Sequence, residues 1–127
     1  MIVALSKEPL ETALSGHPDE YLELARMLEA GTGTVGLDTG ADPAPYGSVL
    51  AAIVVRERDS AAVTISVDDD RLIVEGPVHL LSVLAGNVRG SATSGDPEGH
   101  AHIEYFPGHY YLGENSVPLV IHDAMER

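Results

Sequence analysis

The chain contains no cysteine and no tryptophan, one phenylalanine and a single lysine, Lys7. Without cysteine there is no disulfide, no thiolate nucleophile and no Cys-based zinc or iron–sulfur site. With five Tyr and one Phe as its only aromatics, the core has to be built from Ala, Val, Leu and Ile. Basic residues are scarce too: seven Lys plus Arg stand against twenty Asp plus Glu, a formal net charge of −13. Such a chain repels phosphate, which argues against nucleic-acid binding by counterion release and against anionic membrane surfaces. A basic protein or peptide is attracted and steered instead. No run approaches the ~18 apolar residues of a membrane helix. The opening Met1-Ile2-Val3-Ala4-Leu5 lacks the basic flank and the length of a secretory signal. The expectation is an acidic, soluble, cytoplasmic protein.

What is present is enough for one folded unit. The 127 residues fit a single domain, 1–127, able to bury about two thirds of its unfolded surface. Residues 1–6 read as a short strand, and Lys7 to Gly16 is polar and ambiguous. Pro18-Asp19-Glu20 opens a helix, because proline fits the first turn and acids suit its positive end. Tyr21, Leu24, Ala25 and Leu28 recur at i, i+3, i+4 and i+7, and Gly31 is a stop, so the spacing predicts a helix over 18–30. The prolines of Asp42-Pro43-Ala44-Pro45 exclude regular structure. Residues 49–58 are apolar on both faces and read as a central strand. Val63, Ile65 and Val67 alternate with polar residues, turn at Asp68-Asp69-Asp70 and return through Leu72 and Val74 as a hairpin. Gly76-Pro77 opens a second helix expected to end near Asn87 to Gly90, followed by a polar loop from Ser91 to Gly99. His100 to Phe106 reads as a strand, Pro107 to Ser116 as a loop and Val117 to His122 as a last strand. The expected fold is α+β: a mostly antiparallel sheet of five to seven strands with two helices packed on one face.

Strand alternation puts His100, His102 and Glu104 on one face, with Ala101, Ile103 and Tyr105 on the other. Two imidazoles and a carboxylate suit either a facial metal triad or an acid–base pair in which Glu104 orients His102. His109 and His122 are further ligands if the last strands pair. The plainer reading is a solvated strand face, and a triad on one strand is strained by a same-face spacing of ~7 Å. We therefore expect no metal and no cofactor. Asp68-Asp69-Asp70 lacks the spacing, glycine and closing Glu of a calcium loop. Asp38-Thr39-Gly40 lacks the surroundings of an aspartic-protease triplet, and the G-x-G-x-x-G string from Gly31 to Gly36 follows a helix instead of a strand. Four of the six aromatics fall between Tyr105 and Tyr111. Either Tyr105 and Phe106 anchor a loop on the core, or Tyr110 and Tyr111 stand on the surface as contact residues.

The segment His102-Ile103-Glu104-Tyr105-Phe106-Pro107-Gly108-His109, with Tyr111-Leu112 and Ser116-Val117-Pro118-Leu119-Val120-Ile121, resembles the ending of the immunity protein 32 (Imm32) family. The early helix with Leu22, Leu24 and Leu28, the loop Asp42-Pro43-Ala44-Pro45-Tyr46 and the hairpin from Ile65 to Val74 are also similar, so the resemblance runs loosely from His17 to Ile121. These are small actinobacterial proteins predicted to neutralise polymorphic toxins. The resemblance implies an inhibitor that binds one toxin domain and covers its site.

Three functions follow as expectations. The first is an immunity-like, toxin–antitoxin type inhibitor that binds a protein or peptide partner, expected to be basic in view of the net charge, through His100, His102, Glu104, His109, Tyr110 and Tyr111. The alternative is a small peptide-modifying enzyme, for example one forming lanthipeptide lysinoalanine cross-links, with His102 as base and Glu104 as its orienting carboxylate. The third is a structural subunit, a homodimer paired through the apolar strand at 49–55.

Overall fold

A computed structural model describes residues 1–94 and 99–125. It contains nine strands and two helices: β1 (Ile2–Lys7), β2 (Leu10–Ser15), α1 (Pro18–Ala30), β3 (Thr32–Gly36), β4 (Ser48–Val49), β5 (Ala52–Glu57), β6 (Thr64–Asp68), β7 (Arg71–Gly76), α2 (Val78–Thr93), β8 (His100–Ile103) and β9 (Leu119–His122). Among the described residues, no helix is long and apolar enough to cross a membrane.

The first helix forms where its apolar spacing requires. Pro18 occupies its first turn, and the His17 N–H donates to the Glu20 carboxylate at 2.9 Å, satisfying one of the free amide groups at this end. Gly31 ends it at φ 75°, with its N–H bonded to the carbonyls of Met27 and Leu28. A Cβ at Gly31 would stand 2.7 Å from Val78, so the same glycine lets the start of α2 approach closely. Helix α2 runs past Gly86 and Gly90 to Thr93, longer than the expected end near Asn87 to Gly90. Val88, Ser91 and Ala92 are all buried, and that burial carries the helix through two poor helix formers. The expected polar loop from Ser91 is therefore helical to Thr93, and its residues 95–98 lie outside the described residues.

The fold class is α+β as expected, but the strands make two mixed sheets instead of one mostly antiparallel sheet. The first has the order β4-β1-β2-β9-β8 and the second β3-β5-β7-β6. Each contains one parallel pair, β2 with β9 and β5 with β7. Both pairs join segments remote in sequence or separated by another strand, so local patterning is blind to them. Residues 7–16, polar and ambiguous by sequence, supply β2. Its Thr12 is fully buried, and both its N–H and its hydroxyl donate to the Pro118 carbonyl at 2.8 and 2.9 Å. The predicted strand over 49–58 is two strands. The chain passes from one sheet to the other at Leu50-Ala51, whose N–H groups bond to Val3 of the first sheet and Asp70 beside the second. Of the segment 49–55 expected to pair a homodimer, the part in β5 lies between β3 and β7, whereas Val49 belongs to β4, the outermost strand of the first sheet among the described residues.

Both sheets and both helices close on one core. Leu14 and Leu119 of the first sheet, Leu24 and Leu28 of α1, Leu84 and Val88 of α2, and Ile53, Leu72 and Val74 of the second sheet meet at its centre. Tyr21, fully buried, donates its hydroxyl to the His122 carbonyl at 2.6 Å, with Leu14 O at 3.2 Å. One side chain of α1 thereby ties down β2 and β9. At the Asp68-Asp69-Asp70 turn, Asp69 takes φ 55° and Arg71 bonds to Asp68 at 2.9 Å, the hairpin foreseen for these residues. Asp38 accepts the Gly40 N–H at 2.9 Å, which makes it a turn former.

Candidate functional site

The chain leaves β8 after Ile103 and returns at β9, and the loop between is built around an imidazole. Gly108, at φ 89°, permits the turn in which the His109 N–H bonds to the Phe106 carbonyl at 2.9 Å. His109 Nδ1 then accepts two backbone N–H groups, from Tyr111 at 3.2 Å and Leu112 at 3.0 Å. A nitrogen that accepts carries no proton, so the neutral ring holds its hydrogen on Nε2. The ring lies between Phe106 and Tyr111, each with its centroid 4.8 Å away.

Tyr111 turns inward to 6% exposure, and its hydroxyl donates to the Asn87 side chain of α2 at 2.7 Å. Burial pushes its phenol up to about 12. The following segment is laid along the outer edge of β6. Val63 donates to the Tyr111 carbonyl, Gly113 to that of Val63 and Val117 to that of Ile65, each at 2.8 Å, and Ser116 accepts the Ile65 N–H at 3.1 Å. A loop fixed at so many points presents two aromatic side chains outward, Phe106 at 58% and Tyr110 at 78% exposure. Both are large, apolar and pre-positioned, the type of residue that anchors a protein interface.

His109→Ala is expected to leave the amides of Tyr111 and Leu112 without their acceptor, at a cost of about 1–3 kcal/mol. Denaturant unfolding measures that loss, and amide exchange should quicken at residues 111 and 112 first.

The structure places the residues singled out from the sequence in two groups. His109, Tyr110 and Tyr111 share the loop, but only Tyr110 is fully at the surface; His109 organises the loop and Tyr111 roots it. Phe106, which sequence reasoning offered as a core anchor, points outward. Asn87 was not foreseen, because a lone amide on a helix gives no signal until its partner is known. His100, His102 and Glu104 are exposed on or beside β8, with His122 opposite His100 on β9. β8 ends at Ile103, just short of Glu104, and no hydrogen bond among the described residues joins His102 to Glu104. Two open clefts belong to other elements. One of about 340 Å³ is lined by Asp19, Glu20, Glu23 and Arg26 of α1 with Met1 and Val35. The other, of about 330 Å³, lies between Glu8, Pro9, Glu11, Pro45 and Tyr46, where the Tyr46 hydroxyl donates to Glu11.

Neither the curated proteins nor the solved structures give a match to this chain. A family model does, and it covers the loop described above: α2, β8, the aromatic segment and β9 all fall within it. The early helix, the Asp42-Pro43-Ala44-Pro45 loop and the β6–β7 hairpin lie outside. Over residues 78–124 the chain is similar to the family described as immunity protein 32, as the resemblance in its last third implies.

Proposed function

We propose that the protein is an immunity-like inhibitor that binds a toxin domain and covers its working surface, with Phe106 and Tyr110 as the central contacts. The observation that carries this reading is the aromatic loop: two exposed rings on a backbone locked by His109, Tyr111 and the edge of β6. Ordering such a loop before contact removes an entropic cost that a floppy loop would meet on binding. The similarity to immunity protein 32 supports a protein partner, and the loop lies inside the matched stretch. The net charge of −13 favours a basic partner, as nuclease toxins usually are, by steering it toward the chain.

The test is protection. A toxin domain encoded beside this gene is expressed in a susceptible host with and without the chain. Growth is expected to be restored by the native chain and not by the Tyr110→Ala variant at equal protein level. Growth arrest that the native chain does not relieve would sink the proposal.

A further inference from the structure

The loop that carries Phe106 and Tyr110 is closed on a single titratable atom. His109 Nδ1 accepts the N–H groups of both Tyr111 and Leu112, at 3.2 and 3.0 Å. Only an unprotonated nitrogen can do so. Imidazole is also the side chain that ordinarily changes charge between about pH 5 and 8. In the imidazolium both ring nitrogens carry hydrogen, so no rotation of the ring restores an acceptor. The two amide donors would then face a third donor on a positively charged ring.

The surroundings offer that cation little in return. Phe106 and Tyr111 flank the ring at 4.8 Å, but the attraction of a cation to such rings is worth less than two amides left without an acceptor. The Tyr111 phenol, pushed up to about 12, stays neutral. Among the described residues, no carboxylate is hydrogen-bonded or ion-paired to His109. Glu104 and Glu114 of the loop are exposed, as are His79 of α2, His100 and His102 of β8 and His122 of β9. On the elements packed against the loop, Arg89 of α2 pairs with Glu29, and Asp68 of β6 with Arg71. Acid therefore favours an open loop, which can take the proton, over the closed one, which cannot.

We propose that His109 is an acid-operated latch on the aromatic loop. Neutral, it holds Phe106 and Tyr110 in their outward arrangement; protonated, it releases the turn from 109 to 112 and with it the contact surface. The consequence for a partner rests on the toxin-binding reading above, whereas the opening of the loop does not.

The test compares the native chain with His109→Asn, whose side-chain oxygen can accept the same two amides but takes no proton. Amide protection at Tyr111 and Leu112, corrected for the intrinsic pH dependence of exchange, is expected to fall at least ~10-fold in the native chain between about pH 7.5 and 5.5. In His109→Asn it is expected to change less than ~3-fold over the same span, and Leu24 of α1 serves as the unaffected control in both. Nitrogen shifts of the native His109 ring give a second reading that needs no variant: its protonation should coincide with the loss of protection. Against the toxin domain, native affinity is expected to drop at least ~10-fold over the same span and that of His109→Asn clearly less, since the other titrating groups are common to both. Protonation of His109 without loss of protection, or an equal loss in His109→Asn, would overturn the latch. A toxin domain that fails to bind near neutral pH would instead overturn the toxin-binding reading and leave the latch to be judged by exchange alone.

Discussion

The double substitution Phe106→Ala/Tyr110→Ala is expected to weaken binding of the toxin domain at least ~30-fold while leaving the fold intact. A buried aromatic anchor in an interface is worth about 2 kcal/mol or more, and about 1.4 kcal/mol is a tenfold change in affinity. In the free protein both rings face water, so their loss is expected to change unfolding free energy by no more than about 0.5 kcal/mol. Titration calorimetry against the toxin domain reads the first quantity, and urea unfolding the second. The contrast with His109→Ala is informative, since that variant loses stability as well as affinity. If the double variant bound as tightly as the native chain, the aromatic loop would not be the contact.

Tyr21→Ala is expected to cost about 3–5 kcal/mol, a large share of the roughly 5–15 kcal/mol that holds a domain together. The side chain is fully buried, and its removal leaves a cavity between α1, β2 and β9 and takes away the hydroxyl that the His122 and Leu14 carbonyls accept. Tyr21→Phe keeps the ring and is expected to lose only about 1–2 kcal/mol, the share of the hydrogen bond. Burial, and then the charges of Asp123 and Glu20, raise the Tyr21 phenol well above its ordinary value of 10.0. A raised folded-state pKa gives stability that is complete below the unfolded value and is lost as pH climbs toward the folded one. Native stability should therefore fall above about pH 10, and Tyr21→Phe should flatten that alkaline limb. Tyr111, raised to about 12 by burial, adds a second part of the same slope. Urea midpoints measured from neutral pH to pH 11 separate the variants. An unchanged alkaline slope in Tyr21→Phe would remove Tyr21 from this role.

The sequence made some of this fold readable because the deciding forces were local. Helix α1 was bounded by Pro18 and Gly31 and faced inward through Tyr21, Leu24, Ala25 and Leu28, all of which are buried. The β6–β7 hairpin followed from alternation about three aspartates that only a turn accommodates. Where long-range pairing decided, local reading failed. Leu10–Ser15 is a strand because β1 and β9 flank it and Pro118 satisfies Thr12; β1 is its neighbour in sequence, but β9 and Pro118 lie at the far end of the chain. Helix α2 outran its glycines because its last turn is buried. At the site, composition flagged the aromatic cluster, but not which rings point outward. That depends on the bonds His109 makes to the Tyr111 and Leu112 amides and on the reach of Tyr111 to Asn87, and those contacts exist only after folding.

The most direct test is titration of the purified chain with the toxin domain encoded beside its gene, repeated at low and high salt. The account predicts a saturable one-to-one complex whose affinity falls as salt rises, since opposite charges draw the partners together. No saturation at toxin concentrations on the order of 100 μM, far above what specific inhibition requires, would contradict it.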